Sequence, residues 1–293
     1  MFVPSRALGD TGFRATQLGA GDVADRSLPV AQCVATLTRA LDAGVNVVDT
    51  APNYEDGLSE EIVGKAVRGR GDSVFVIDKI DHLHAPVAPQ IDQSLARLRL
   101  SHVDLFVFHA CSTLADLDRL LAPHGGFEQL ANEVRRGRVR FRGISSHHPD
   151  VLAKALHAGV CDVVMFPIGP FADARYERVV LPLARARGVG TVCFKTFGAG
   201  KLLGDTEGYQ RPLATRAVAA PLPRLGVGEC VRYTLTIDPD VALLGLSTPA
   251  EQDAAWAAAS AFSPMEEAEL AVTRERASSA IAGKGDVWWN PSD

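Results

Sequence analysis

Short apolar runs recur along the chain, each followed by a stretch whose apolar residues return every three or four positions. The runs read as buried strands, and the stretches as helices packing one face against them. Strands are predicted at 45–48, 73–78, 103–108, 139–144, 160–166, 189–194 and 241–244. Helices are predicted over 29–43, where Val30, Val34, Leu37 and Leu41 share a face and Gly44 supplies the stop, and from Ser59 onward. Others fall at 89–100, 115–136 with an interruption at Gly125-Gly126, 149–158, 173–187 and 226–236. Helical segments near 250–260 and 264–282 close the chain, and glycine and proline gather in a long loop over 198–226. At the other end, two short strands flank Gly9-Asp10-Thr11-Gly12 as a hairpin, the second running into Gln17-Leu18-Gly19-Ala20-Gly21 as the first core strand.

Strand and helix alternate about eight times, which calls for a parallel sheet with helical crossovers. An open doubly wound sheet should carry a glycine-rich dinucleotide fingerprint. Gly19-Ala20-Gly21-Asp22-Val23-Ala24 begins like one but has alanine in sixth place, although Asp49 ends a strand at nearly the required distance. A closed barrel explains more, because the unusual polar residues stand at the C-terminal ends of many different strands. The expected fold is α/β, a (β/α)8 TIM barrel with an N-terminal β-hairpin and an extra C-terminal helix, forming one domain over 1–293.

Composition narrows the partners. With a net charge of −5 and a single arginine cluster (Arg135, Arg136, Arg138, Arg140, Arg142) that reads as a solvated helix end, nothing points to nucleic acid or an anionic membrane. Cys33, Cys111, Cys161, Cys193 and Cys230 form no C-x-x-C pair, as expected of reduced thiols in a cytoplasmic protein. No apolar run approaches membrane-spanning length, and no leader-like start is present. Oligomeric state leaves no signal.

The chemistry sits at the strand ends. Asp49 closes the strand at 45–48, and Tyr54 follows beyond the stiffening Pro52. The next strands end in Lys79, in His109, and in Ser145-Ser146-His147. Alone, Lys79 is a surface lysine and His109 a satisfied core histidine. Converging on one barrel mouth, an acid, a phenol, an ammonium and an imidazole make a site for handling protons.

The segments LGDTGFRATQLGAG, NVVDTAPNYEDGLSEE, FVIDKI, VDLFVFH, FRGISSHH, GVGTVCFKTFGAGKLLG and ALLGLSTPAEQ, in this order, resemble the aldo-keto reductases over about residues 5 to 260. The resemblance implies a (β/α)8 barrel with NADP(H) extended across its C-terminal mouth, and a catalytic tetrad of Asp49, Tyr54, Lys79 and His109. Tyr54 would give a proton to a carbonyl oxygen, Lys79 would lower its pKa, Asp49 would hold Lys79, and His109 would hydrogen-bond the substrate oxygen. The implied cofactor set is Gly21, Asp49, Ser145, Ser146 and Met165 around the nicotinamide end, Phe194 stacking on the ring, Phe197, Gly198, Gly200, Lys201 and Leu202 around the pyrophosphate, and Gly245, Ser247, Thr248 and Glu251 around the 2′-phosphate. Met165 replaces a frequent glutamine, Thr248 a frequent basic residue and Glu251 another glutamine, so NAD(H) stands beside NADP(H) as a cofactor. The motifs are closest to bacterial members that sometimes carry a cysteine-rich iron–sulfur tail; GKGDVWWNPSD lacks those cysteines, and no cluster or metal is expected.

The substrate expected is a small-molecule carbonyl, and the sequence does not choose among aldehyde, ketone and sugar. His82, His84, His109, Phe171, Trp288 and Trp289 are candidates to line its pocket. Two other readings use the same mouth. His82, His84, His109, His147 and His148 with Asp49, Asp78 and Asp81 would suit a metal-dependent hydrolase, though Tyr54 and Lys79 would then have no task. A barrel that binds nucleotide as a sensor or partner subunit without turnover is the third.

Overall fold

The structure, a computed structural model, describes residues 4–209, 211–213 and 222–291. Strands β1 (Ser5–Ala7) and β2 (Arg14–Thr16) pair as the antiparallel hairpin, and at Gln17 the chain leaves it for β3 (Leu18–Ala20). Seven more strands follow: β4 (Val47–Asp49), β5 (Phe75–Ile80), β6 (Val103–Phe108), β7 (Val139–Ser145), β8 (Val163–Pro167), β9 (Gly190–Phe194) and β10 (Val241–Leu244). All pair in parallel and close in the order β10-β3-β4-β5-β6-β7-β8-β9, so the expected barrel is the observed one. The helices between them are α1 (Val30–Asp42), α2 (Leu58–Ala66), α3 (Val87–Leu98), α4 (Leu114–Leu121), α5 (Gly126–Arg135), α6 (Pro149–Ala158), α7 (Leu181–Ala186), α8 (Val227–Ile237) and α9 (Pro249–Ser260). The extra C-terminal helix is α10 (Glu267–Ile281).

Alternation along each strand divides the core in two. Val47, Phe75, Ile77, Leu105, Val107, Val163, Met165, Val192, Val241 and Leu243 fill the barrel interior. Their neighbours Val48, Val76, Phe106, Ile144, Val164 and Phe166 face outward under the helices. The hairpin plugs the N-terminal end, with Leu8 fully buried and the Phe13 ring 5.1 Å from that of Phe75. The opposite, C-terminal end is left for chemistry.

The start of β5 departs from the predicted boundary for a physical reason. A 3₁₀ turn over Gly71–Ser73 delays β5, so Lys79 lies inside the strand instead of following it. The expected interruption of the helix at 115–136 separates α4 from α5 at Ala122, which precedes Pro123 and is extended (ψ 157°), and Gly126 opens α5 in close contact with Phe108 and Leu120. The stretch at 173–187 starts as a π-turn, Tyr176–Val180, before α7. All five cysteines are buried and free. Among the described residues no helix is long and apolar enough to cross a membrane.

Candidate active site

The inward rows of β4, β5 and β6 continue upward from the apolar plug: Val47 to Asp49, Ile77 to Lys79, Leu105 and Val107 to His109. Lys79 donates from Nζ to Asp49 Oδ1 at 2.6 Å and to the Thr50 carbonyl at 2.7 Å. Its ammonium also lies 4.4 Å from the Tyr54 ring centroid. Burial pushes the Asp49 carboxyl up, and Lys79 pulls it back.

Tyr54 opens a one-turn 3₁₀ segment, Tyr54–Gly57, in which Glu55 and Asp56 take left-handed backbone conformations (φ 47° and 50°). Such residues cost about 1–2 kcal/mol each, and Arg26 ties this turn down, pairing with Glu55 at 3.1 Å and Asp56 at 2.9 Å. The phenol pKa is held well above its ordinary value, first by desolvation and then by the Asp49 charge. This corrects the expectation that Lys79 lowers it. The ammonium is answered at contact distance by Asp49, so little net positive field is left for the phenol. His109 stands edge-on to Tyr54, ring centroids 5.8 Å apart, and its Nδ1 lies 2.5 Å from Asp81 Oδ1.

On the other side of the mouth, Ser145 and Ser146 are buried at the end of β7. Ser146 donates its N–H to the Met165 carbonyl at 3.0 Å, and its hydroxyl accepts from His148 N at 3.0 Å. Phe194, half-buried at the end of β9, has His147 edge-on at 5.5 Å. Burial, helped by Lys195 and His109, pushes the His147 imidazole down to about 4, so this ring is neutral at neutral pH. Lys195 bonds the Tyr209 hydroxyl and lies over the Phe194 and Tyr209 rings at 5.4 Å and 4.8 Å.

Phe197 leads into a 3₁₀ turn, Gly198–Gly200, whose glycines sit at φ 54° and 89°, with Gly198 N donating to the Lys195 carbonyl at 2.8 Å and Gly200 N to the Phe197 carbonyl at 3.0 Å. Thr196 Oγ1, buried beside it, has no partner among the described residues. Lys201 turns away: its Nζ reaches the carbonyls of Lys284 and Asp286 at 2.7 Å and 2.5 Å, and Lys284 returns a bond to the Lys201 carbonyl. Leu202 packs with Trp289 in a satellite core. Gly21 N donates to Leu244 O at 2.7 Å beside Gly245. Thr248 caps α9, and the Glu251 carboxylate accepts from Ser247 N at 2.8 Å and Thr248 N at 3.2 Å. Of the positions that the resemblance sets around a dinucleotide, the Phe194 ring and the Ser145 and Ser146 side chains lie at the mouth, whereas the N–H donors of Gly198, Gly200, Ser247 and Thr248 are taken by carbonyls and by the Glu251 carboxylate of the protein itself.

His82 and His84 line an open cavity of about 580 Å³ with Asp81, Leu83 and Ala85, and His84 pairs with Asp116 at 3.1 Å. Trp288 is exposed at the mouth against Tyr209. Trp289 is fully buried in the satellite core, donating Nε1 to the Phe171 carbonyl at 3.0 Å, with the Phe171 side chain packed against the same core. Among the described residues no three His, Cys, Asp or Glu side chains gather as metal ligands.

Four mouth residues escaped the sequence argument for the site: Asp22, whose carboxyl burial raises; Asp81 as a partner of His109; Lys195; and Tyr209. Asp22 follows β3 much as Asp49 closes β4, so its signal was positional; the other three depend on contacts between separate loops.

Sequence comparison finds a Bacillus subtilis aldo-keto reductase, YhdN, 27% identical over 69% of this chain and 65% of its own length. The NADH-specific methylglyoxal reductase of Escherichia coli is 24% identical over 79% and 80% of the two chains. The chain therefore spans about two thirds of the length of the first of these relatives. Among solved structures, an aldo-keto reductase from Klebsiella pneumoniae in complex with NADPH superimposes with a TM-score of 0.70, at 20% identity over 94% of this chain and 95% of that one. The family model described as the Aldo/keto reductase family matches residues 16–256, from the end of the hairpin into α9, and on that match the chain belongs to the aldo-keto reductase family.

Proposed function

We propose that the protein is an NAD(P)H-dependent oxidoreductase acting on a small-molecule carbonyl or alcohol, with Tyr54 as its general acid and base. The observation that carries this reading is the buried Lys79–Asp49 pair with the Tyr54 ring 4.4 Å from the ammonium, directly above the apolar barrel plug. A phenol kept protonated in that setting holds a proton ready for an oxygen that becomes basic only as negative charge develops on it. Nicotinamide, when bound, supplies the hydride. Phe194 offers its ring, Ser145 and Ser146 their hydroxyls and the small residues of the turn at 198–200 room for the backbone to approach the dinucleotide. NADP(H) is the proposed cofactor, as in the Klebsiella structure, with NAD(H) accepted as well.

The test is NADPH and NADH oxidation against a panel of aldehydes, ketones and sugars, with and without chelator. Chelator-insensitive reduction supports the reading. Loss of activity with chelator would favour a metal enzyme, and cofactor binding without turnover across the panel would favour a sensor.

A further inference from the structure

Nδ1 of His109 and Oδ1 of Asp81 are 2.5 Å apart, with side chains 17% and 11% exposed. Both atoms carry lone pairs, so the contact requires a bridging proton. Asp81 continues the inward row of β5 two residues beyond Lys79, and His109 N is bonded to the Ile80 carbonyl at 3.0 Å, which seats the two residues side by side. With Nδ1 committed, only Nε2 remains to meet a ligand.

The proton inventory then fixes what Nε2 can do. With two protons on the pair, whether as imidazolium and carboxylate or imidazole and carboxylic acid, Nε2 bears hydrogen and donates. With one, the proton stays in the bridge and Nε2 is a bare acceptor. A carbonyl oxygen needs the first state and an alcohol hydroxyl the second. Resting on the oxidoreductase reading, we propose that Asp81 is the positioning residue of His109, holding Nδ1 so that Nε2 is the atom presented to the substrate oxygen.

The surrounding charges are mixed. Asp49 from β4 acts on His109, Arg97 from α3 acts on Asp81, and Lys79 and Lys195 from β5 and the end of β9 act on Asp49. Tyr54 and His147 from the β4 and β7 ends face the same ring as neutral groups. Asp81 is the only one of these groups in hydrogen-bond contact with the His109 ring among the described residues.

Asp81→Asn keeps an oxygen for Nδ1–H but removes the charge and the second proton site. The imidazole loses the charged partner that fixes its orientation, so kcat for carbonyl reduction should fall at least about tenfold and the pH profile should change shape, while NADPH affinity measured by fluorescence stays within twofold. Asp81→Glu should restore the wild-type profile. Independently of turnover, ¹⁵N NMR of His109 in the unmodified protein should show Nδ1 protonated throughout and Nε2 gaining its proton as pH falls. Failure to reduce any carbonyl, with that NMR signature intact, would overturn the oxidoreductase reading and leave the pairing standing. Superimposable pH profiles in wild type and Asp81→Asn, or an unprotonated Nδ1, would overturn the proposal itself.

Discussion

The ammonium of Lys79 and the carboxylate of Asp49 meet at 2.6 Å with side chains only 2% and 6% exposed. Taking two charges out of water costs several kcal/mol each, repaid only when geometry is close and spare hydrogens find acceptors. Here the Thr50 carbonyl takes a second hydrogen at 2.7 Å, and the Tyr54 ring face lies beside the ammonium. The pair therefore holds Tyr54 in place and screens it, a different role from tuning it.

Removing one partner should strand the other. Lys79→Met is expected to destabilise the fold by about 3–5 kcal/mol and to abolish most activity. Adding Asp49→Asn should recover part of the stability, so the double variant loses less than the sum of the single losses. Urea denaturation of the four proteins measures this, and strictly additive losses would show that the charges are independently solvated.

Tyr54→Phe should fold and bind cofactor normally while lowering kcat by about 10²–10⁴, the usual contribution of a general acid. The pH sign follows from its raised pKa: the protonated form, which is the acid, persists to higher pH than in a free phenol. Carbonyl reduction should show no basic limb due to Tyr54 below about pH 10. Near-full activity of Tyr54→Phe would remove it from the mechanism.

His147 gives a stability test. Its folded-state value of about 4 lies below the ordinary 6.5, so between those values the unfolded chain binds the proton more readily. Stability from this residue is full above pH 6.5 and is lost as pH falls towards 4, by about 3 kcal/mol in all. His147→Phe preserves an edge contact with Phe194 without a titrating nitrogen, so its unfolding free energy should fall less steeply between pH 6.5 and 4. Parallel curves for the two proteins would show that His147 is solvated in the folded state.

What the sequence disclosed and what it hid follow from distance along the chain. Apolar runs that end in a polar residue were enough to bring Asp49, Lys79 and His109 to the C-terminal ends of successive strands, and the order of those runs was enough for the barrel. Partnerships between elements were not legible. Lys79 and Asp81 are two residues apart, yet their partners Asp49 and His109 come from different neighbouring strands, which only the β4–β5–β6 register decides. Adjacent tryptophans look alike in sequence, but Trp289 is buried and Trp288 exposed because Phe171 offers a carbonyl to one indole only. Lys201 looked like a phosphate ligand until its ammonium was found exchanging backbone bonds with Lys284.

The cofactor prediction turns on Glu251. Its Oε2 takes the N–H groups of Ser247 and Thr248 at 2.8 Å and 3.2 Å, and Thr248 Oγ1 takes Glu251 N in return, closing the capping box of α9. A 2′-phosphate reaching these donors must displace a carboxylate of like charge. Lys201 is committed elsewhere, Arg211 lies over Trp288 at 5.5 Å, and Arg216 falls outside the described residues. NADPH is still expected to bind better than NADH by about 1–3 kcal/mol, the scale of one or two charge-assisted hydrogen bonds. Glu251→Gln keeps an oxygen for the cap and removes the repulsion, so it should widen the margin by about 1 kcal/mol, or about fivefold in the ratio of Kd values. Thr248→Arg should widen it as well by adding a cation, but at a loss of about 1 kcal/mol from the helix cap, which makes Glu251→Gln the cleaner variant. Nicotinamide fluorescence titrations with both cofactors decide the matter. An unchanged ratio in Glu251→Gln would place the 2′-phosphate elsewhere, and a preference for NADH in the unmodified protein would reverse the assignment.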